Sequence, residues 1–407
     1  MIREDLMGAP VPTLQLQRAQ DAVGVRGLRV PWQRLWARAS ENPFLSWSWM
    51  EAAWTHLDPH RRPLVISAHT ADGELVGLLP LSVQRVGVAR VARFLADDTV
   101  GSDYLEALVD PALGATVRRA LWGEALRLRG AAYDSLELDD LDGAGATAGE
   151  VTTWGRSLGL AVRSEPRYRC PRILISGSFD AYLKRVARAE NLRRRQRQLE
   201  RTPGFAIDVA RTEAEVRRAL PTFFALHRAR WAREGGSQGI PGPRVERFHA
   251  EVSARLARLG CAQLYTLRVG AAPLASVYML GVGGTRYFYQ SGYDPGASHQ
   301  SPGRVLLART ISDAFAQGAH TYDFLRGSES YKFEWSNDER QTVALRAVVP
   351  TFRGRWRAGE QAALRAARRW ARQALGEAGY GALRDARAST RHRLATLRDA
   401  ARWPRDG

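Results

Sequence analysis

The sequence predicts an α/β protein of two related domains, each a mixed, mostly antiparallel sheet flanked by helices, followed by a helical C-terminal tail. Three observations predict it: a hairpin–helix–strand pattern written twice, a composition ordinary for folded protein, and a change of composition near residue 350. The 407 residues are 45% hydrophobic, 25% charged and 9% aromatic, which suits two compact domains and argues against disorder. The expected division is 1–165, 166–350 and a tail of 351–407.

The duplication is read element by element. Residues 64–83 alternate apolar and polar, break at Asp72-Gly73 and resume, the pattern of a β-hairpin. Residues 263–290 do the same, with turns near Gly270 and Gly283-Gly284 and a third strand, TRYFYQ. Each region leads into an apolar-periodic helix and then a strand, VRRALWGEALRLRGAAYDSLEL at 117–138 and RVLLARTISDAFAQGAHTYDFL at 304–325. Both carry Gly-Ala and then Tyr-Asp opening the strand (Tyr133-Asp134, Tyr322-Asp323). Between the halves the apolar stripe predicts a helix over 179–200. A second helix is expected over 221–233, leading into the Gly/Pro-rich loop 234–243, a length of loop that often covers a site.

No apolar run is long enough for a membrane span. The N-terminus has no apolar stretch of signal-peptide type, and Cys170 and Cys261 are too few for a disulfide framework or a multi-thiolate zinc site. A cytoplasmic protein without metal is expected. The net charge of +18 is concentrated: 184–201 carries +6 and 351–407 carries +9, so the remainder is nearly neutral. Of the 60 basic residues only Lys184 and Lys332 are lysines. A chain that writes arginine almost everywhere marks its lysines as candidates for chemistry a guanidinium does not do.

Several enzyme classes drop out. Neither lysine follows a glycine, so there is no phosphate loop of the Walker type. GVGGTR at 281–286 lacks the third glycine of a dinucleotide fingerprint. There is no HExxH or paired CxxC, and the eight histidines show no metal-ligand spacing.

Two constellations remain. Gln300-Ser301-Pro302-Gly303-Arg304 lies between a strand and a helix start, where free N–H groups and the helix dipole favour a pyrophosphate. The same Pro-Gly also simply starts a helix. In YDFLRGSESYKFEW (322–335), Asp323, Arg326, Glu329, Tyr331 and Lys332 crowd the end of a strand. Strand ends are where open α/β sheets place their chemistry, and an ammonium there can face a developing oxyanion. The alternative is an Arg326–Glu329 ion pair closing a loop, with Lys332 solvated.

Together SGYDP (291–295), SPGRVLL (301–307), YDFLRGSESYKFEW (322–335) and LKRVARAENLRRRQRQLER (183–201) resemble the GNAT superfamily over roughly 40–350. The likeness is to the duplicated-GNAT branch of BioF2-like and cellulose-biosynthesis-linked acetyltransferases, kin to the Fem aminoacyl transferases. The resemblance implies an acyltransferase that uses acetyl-CoA or another acyl-CoA, with the pyrophosphate held by Gln300, Ser301, Gly303 and Arg304. Val305 departs from the family turn, which has Gly or Ala there. The resemblance also implies a sugar or polysaccharide-related acceptor, and it puts Lys332 beside the reacting carbonyl. Glu329 is the assigned base, and Tyr331 joins them as a catalytic candidate.

The first half's corresponding linker, 94–117, carries Asp97, Asp98, Asp103, Glu106 and Asp110 without a base among these acids, and would repel a pyrophosphate. It reads as a degenerate donor site or as a polar surface loop. His227 and Trp231 share a helix face near the 234–243 loop and are candidate acceptor contacts with Asp323 and Arg326, or else core and rim. Arg193, Arg194, Arg195 and Arg197 form a solvated face or an anion site. In the tail, Trp356, Ala363, Ala367, Trp370 and Ala374 form one stripe, with Arg365, Arg368, Arg369 and Arg372 mostly elsewhere. That pattern suits peripheral contact with an anionic membrane at its inner face, affinity for nucleic acid, or docking on the protein's own body. Two other functions fit the same fold: a Fem-like transferase taking aminoacyl groups from tRNA, and an inactive double-GNAT scaffold.

Overall fold

The computed structural model describes residues 13–376 and 379, apart from 58–60, 98–99, 187–188, 233–235, 238, 328 and 368. Among the described residues thirteen strands share one sheet. They are β1 (Gln15–Ala19), β2 (Arg62–His69), β3 (Leu75–Val86), β4 (Ala89–Phe94), β5 (Leu108–Val109), β6 (Ser135–Asp142) and β7 (Ala161–Leu174). The series continues with β8 (Phe205–Ala210), β9 (Ala262–Val269), β10 (Ala272–Val282), β11 (Thr285–Tyr293), β12 (Thr321–Asp323) and β13 (Asp338–Val348).

The expected hairpins form. β2 and β3 pair antiparallel around a turn in which Gly73 takes φ 88°, and β9 and β10 pair around Gly270 at φ 58°. Both are left-handed positions where a side chain is disfavoured. The helices Gly114–Arg127 and Pro302–Ala316 follow the two hairpin regions, and each is followed by a strand that pairs parallel with an earlier one, β6 beside β4 and β12 beside β11.

The sheet order is β1-β2-β3-β4-β6-β13-β7-β12-β11-β10-β9-β8, with β5 on β3. Read from its two ends, it is the same six-strand series twice. Each half's closing strand lies across the centre: β7 follows β6 in sequence but pairs with β12, and β13 follows β12 but pairs with β6. The two exchanged strands pair with each other from Asp338 opposite Arg172 to Val348 opposite Ala161. A division at 165/166 therefore runs through β7.

Aromatic packing ties the halves a second time. Trp49 meets Phe248 and Tyr289 edge-on at 5.1 and 5.5 Å, and Phe44 meets Tyr287 at 6.2 Å. Rings on helix Trp47–Leu57 and the turn before it thus enter the second half's core.

Two helices differ from expectation. The stripe over 179–200 folds as Phe179–Leu183 and Ala189–Glu200, so it is not continuous. The helix expected from Pro221 begins at Glu213, because Thr212 and Glu215 form a reciprocal capping box and Pro221 is carried inside. Beyond β13, residues 352–367 and 369–376 are helical, and 380–407 lie outside the described residues.

Candidate functional site

The site forms where β11 and β12 part. They pair only from Thr285–Thr321 to Tyr287–Asp323, after which β11 runs on to Tyr293. A register shift opposite Tyr278 and Met279 leaves Tyr289 as an extra residue in β11. Bulges of this kind turn a strand away from its neighbour.

After β11, Asp294 accepts from the Gly296 N–H at 2.8 Å and starts a 3₁₀ turn, Pro295–Gln300. Ser301 stands at φ 54°, ψ 44°, a left-handed conformation that is costly for a residue with a side chain. Its carbonyl accepts from the Arg304 and Val305 N–H groups at 3.1 and 3.2 Å, while its hydroxyl makes no capping bond. A Cβ at Gly303 would come no nearer than 3.6 Å to another atom, so the protein's own packing does not demand glycine there. Val305 is buried in the second half's core, so the departure from Gly or Ala fills the interior. Gln300 contacts His299 at 3.3 Å, and Arg304 donates to Glu334 at 2.7 Å with its guanidinium 5.6 Å from the Trp335 ring. Arg304 thus joins this turn to helix Ser330–Trp335.

At the end of β12, Asp323 is fully buried. It accepts from the Leu325 N–H at 2.7 Å and from the Tyr104 hydroxyl at 3.0 and 3.1 Å. Burial raises its pKa to about 6, against the pull of those donors and of Arg340. Arg326 pairs with Asp140 at 2.7 Å and Asp103 at 3.4 Å, and not with Glu329 among the described contacts. Lys332 is 5% exposed, donates to the Arg326 carbonyl at 2.9 Å and pairs with Glu329 at 3.1 Å. The alternative of a solvated Lys332 does not describe it. Gly327 has φ 144°, and a Cβ there would collide with the Glu329 carboxylate and the Lys332 ammonium. The positive φ favours glycine there, and a side chain would also push the Glu329–Lys332 pair aside.

Sequence reasoning missed what the first half sends here. Asp103, Tyr104 and Asp140 reach Arg326 and Asp323, and Arg340 of the exchanged strand stacks 3.9 Å from the Tyr104 ring. Burial pushes the Asp103 carboxyl above its usual range, with Arg326, Lys332 and Arg167 opposing. Tyr104, Asp140 and Leu325 all have φ between 55° and 57°, so strained backbone gathers at this cluster. The acidic run 97–110 was the available signal. Its described members are engaged: Asp97 with Arg61 at 2.8 Å, Asp103 with Arg326, Asp110 with Arg38 at 2.8 Å, and Glu106 with Thr147. Asp98 lies outside the described residues.

Helix Glu213–Trp231 covers the other side of β11. The His227 Nδ1 is 3.0 Å from the Ser291 carbonyl, which only accepts, so Nδ1 carries the hydrogen and Nε2 is a lone pair. That Nε2 is buried with no partner among the described residues, as is the Trp231 Nε1–H one turn on. Burial lowers the His227 pKa to about 4 and keeps the ring neutral. Arg230 donates to the Ser291 hydroxyl at 2.7 Å and lies 4.7 Å from Trp231, 5.6 Å from Tyr293 and 6.0 Å from Tyr331. These contacts bring His227, Trp231 and Tyr331 to one region. The loop 234–243 is described only in part. Among the described residues no cluster of three or more His, Cys, Asp and Glu could hold a metal.

Residues 186–333 match the sequence profile of the acetyltransferase (GNAT) domain. The chain thus carries a GNAT domain over these residues. Its fold is that of the duplicated, Fem-like branch, and the protein is a GNAT-type acyltransferase. The solved structure of FemX superposes with a TM-score of 0.56 at 13% identity, covering 82% of this chain and 97% of that one. The C-terminal domain of a putative lysylphosphatidylglycerol synthetase from Agrobacterium fabrum gives 0.52 at 9%, covering 80% and 92%. L-PGS from Bacillus licheniformis gives 0.50 at 12%, covering 77% and 90%. No curated protein matches the sequence. No described helix of this GNAT protein is long and apolar enough to cross a membrane.

Proposed function

We propose that this GNAT protein is a cytoplasmic enzyme that moves an acyl group, acetyl in the simplest case, from acyl-CoA to an amine or hydroxyl of a saccharide acceptor. The observation that carries the reading is the Arg304–Glu334 bridge, which joins the 300–304 turn to the helix of Lys332. The turn is assigned the pyrophosphate, through N–H groups at a helix start and through Gln300, Ser301 and Gly303. A glycine unneeded for internal packing suits close approach by a ligand.

The acceptor attacks the thioester carbonyl, a tetrahedral oxyanion forms, and the C–S bond breaks to release CoA thiolate. The Lys332 ammonium is assigned to the oxyanion, and Glu329, its ion-pair partner, to the acceptor's proton. Tyr331 is assigned the proton for the departing thiolate. The His227 lone pair and the Trp231 N–H form an acceptor–donor pair suited to a hydroxyl or amide. The rings of Trp231, Tyr293 and Tyr331 offer faces on which a sugar can stack. Asp323 and Arg326 position the strand end beneath them.

Isothermal titration with acetyl-CoA tests the reading. Binding on the order of micromolar is expected, abolished in Gly303→Glu and retained in Lys332→Ala. Lys332→Ala is expected to release CoA more slowly by roughly a hundredfold or more. Absence of binding by any acyl-CoA overturns the donor assignment.

One observation favours a second reading. Arg193, Arg194, Arg195 and Arg197 on helix Ala189–Glu200 have no carboxylate among their described partners. Guanidinium groups with no described carboxylate partner on one short helix suit a polyanion, and a transferase fed by aminoacyl-tRNA would use them so. Salt-sensitive tRNA binding, with no response to acyl-CoA, would select it. An inactive scaffold would bind neither donor.

A further inference from the structure

The helix that follows β13 is turned inside out for a helix packed on its own protein. Its polar side holds it to the body: Arg357 is 8% exposed and donates to Glu137 at 2.7 and 3.1 Å, and Gln361 donates to the same carboxylate at 2.6 Å. Arg93 completes the cluster with Glu137 at 2.8 Å. At Gly354 a Cβ would collide with the Val349 carbonyl, so the helix start lies tight against the end of β13.

Its apolar side faces outward. At 100° per residue, Phe352, Trp356, Ala363, Ala367, Trp370 and Ala374 fall within one sector of about 60°. The three rings are 76%, 59% and 71% exposed. Phe352 and Trp356 lie 6.2 Å apart on that face. Arg353, Arg355 and Arg369 are exposed alongside. Over 352–376 the sequence has seven arginines and one acid, Glu360.

We infer that residues 352–376 form an interfacial helix that lays its Phe352–Trp356–Trp370 stripe into the surface of an anionic lipid bilayer. Rings at the headgroup boundary with arginines beside them are what such a surface takes up. Charge argues against a second copy of this chain, since the same face would bring another highly basic helix against it. A nucleic acid would answer to the arginines but leaves the aligned stripe unexplained. The inference stands apart from the donor and acceptor assignments.

The test is sedimentation of the full chain with vesicles of phosphatidylcholine alone and with about one-third phosphatidylglycerol. Pelleting with the anionic vesicles only, weakened by salt and by about tenfold in the triple variant Phe352→Ala/Trp356→Ala/Trp370→Ala, is expected. The three side chains are exposed, so the variant keeps its fold, which circular dichroism checks. No pelleting with anionic vesicles overturns the inference, as does pelleting that the triple variant does not change. A concentration-dependent dimer lost in the triple variant, without vesicle binding, overturns it in favour of a second copy. Binding of a random-sequence oligonucleotide without vesicle binding overturns it in favour of nucleic acid.

Discussion

Lysine scarcity singled out Lys332 before any fold was drawn, and that side chain is buried between a backbone carbonyl and a carboxylate. Scarcity of a residue type survives in one dimension. The partners of Asp323 and Arg326 do not: Tyr104 and Asp140 lie 219 and 186 positions away, and nothing local announces a left-handed tyrosine or aspartate. Asp323 supplies a prediction at this scale. Its folded pKa of about 6 exceeds the ordinary value of 3.8, so the native state holds a proton that the unfolded chain has lost between those pH values. Its contribution is therefore largest below about pH 4 and declines as the pH rises to about 6, by on the order of 3 kcal/mol. Asp323→Asn is expected to flatten this part of the stability profile, with little further change above it. Urea unfolding of both proteins at about pH 4 and about pH 7 measures the difference. His227 works in the opposite direction, since its depressed pKa of about 4 costs stability as the pH falls from about 6.5.

At the scale of elements, the hairpins were legible because period-two alternation and Asp-Gly or Gly-Gly turns are local signals. The start of helix Glu213–Trp231 was not, because Pro221 is the stronger local mark and the Thr212–Glu215 box tells only when both bonds form. The seat of that helix on β11 rests on Gly292, where a Cβ would strike the backbone of Leu226 and His227. A clash with backbone cannot be relieved by a rotamer change, so the helix must move. Gly292→Ala is expected to destabilise the protein by about 2 kcal/mol or more, lowering its melting temperature. It should also slow acyl transfer by shifting His227 and Trp231 away from the splay. Gly303→Ala is the contrast: with its nearest contact at 3.6 Å it should leave thermal stability unchanged while weakening acetyl-CoA binding, read by calorimetry beside a melting curve.

For the whole molecule, the repeat read from residues 117–138 and 304–325 was visible because both copies keep their order of elements. The exchange of β7 and β13 was not, because either strand alternates equally well beside either half, and sequence order favours the nearer. Only the assembled sheet shows that β13 sits between β6 and β7. This makes the first half a structural partner of the acyltransferase half, and it explains how Asp103, Tyr104 and Asp140 arrive at Arg326 and Asp323. A chain of 1–165 would lack β13 on the open edge of β6 and the second-half rings around Trp49 and Phe44. A chain of 166–350 would lack the first residues of β7 and the Asp103 and Asp140 partners of Arg326. Exposed strand edges and unpaired buried charge both favour aggregation over folding. Each piece expressed alone is therefore expected to be insoluble or unfolded by circular dichroism. Co-expression of the two should restore a soluble complex that binds acetyl-CoA, since the β7–β13 ladder and the Trp49 contacts re-form between the pieces. A second piece that folds alone and binds acetyl-CoA with full affinity would show instead that the exchanged strands are dispensable to the donor site.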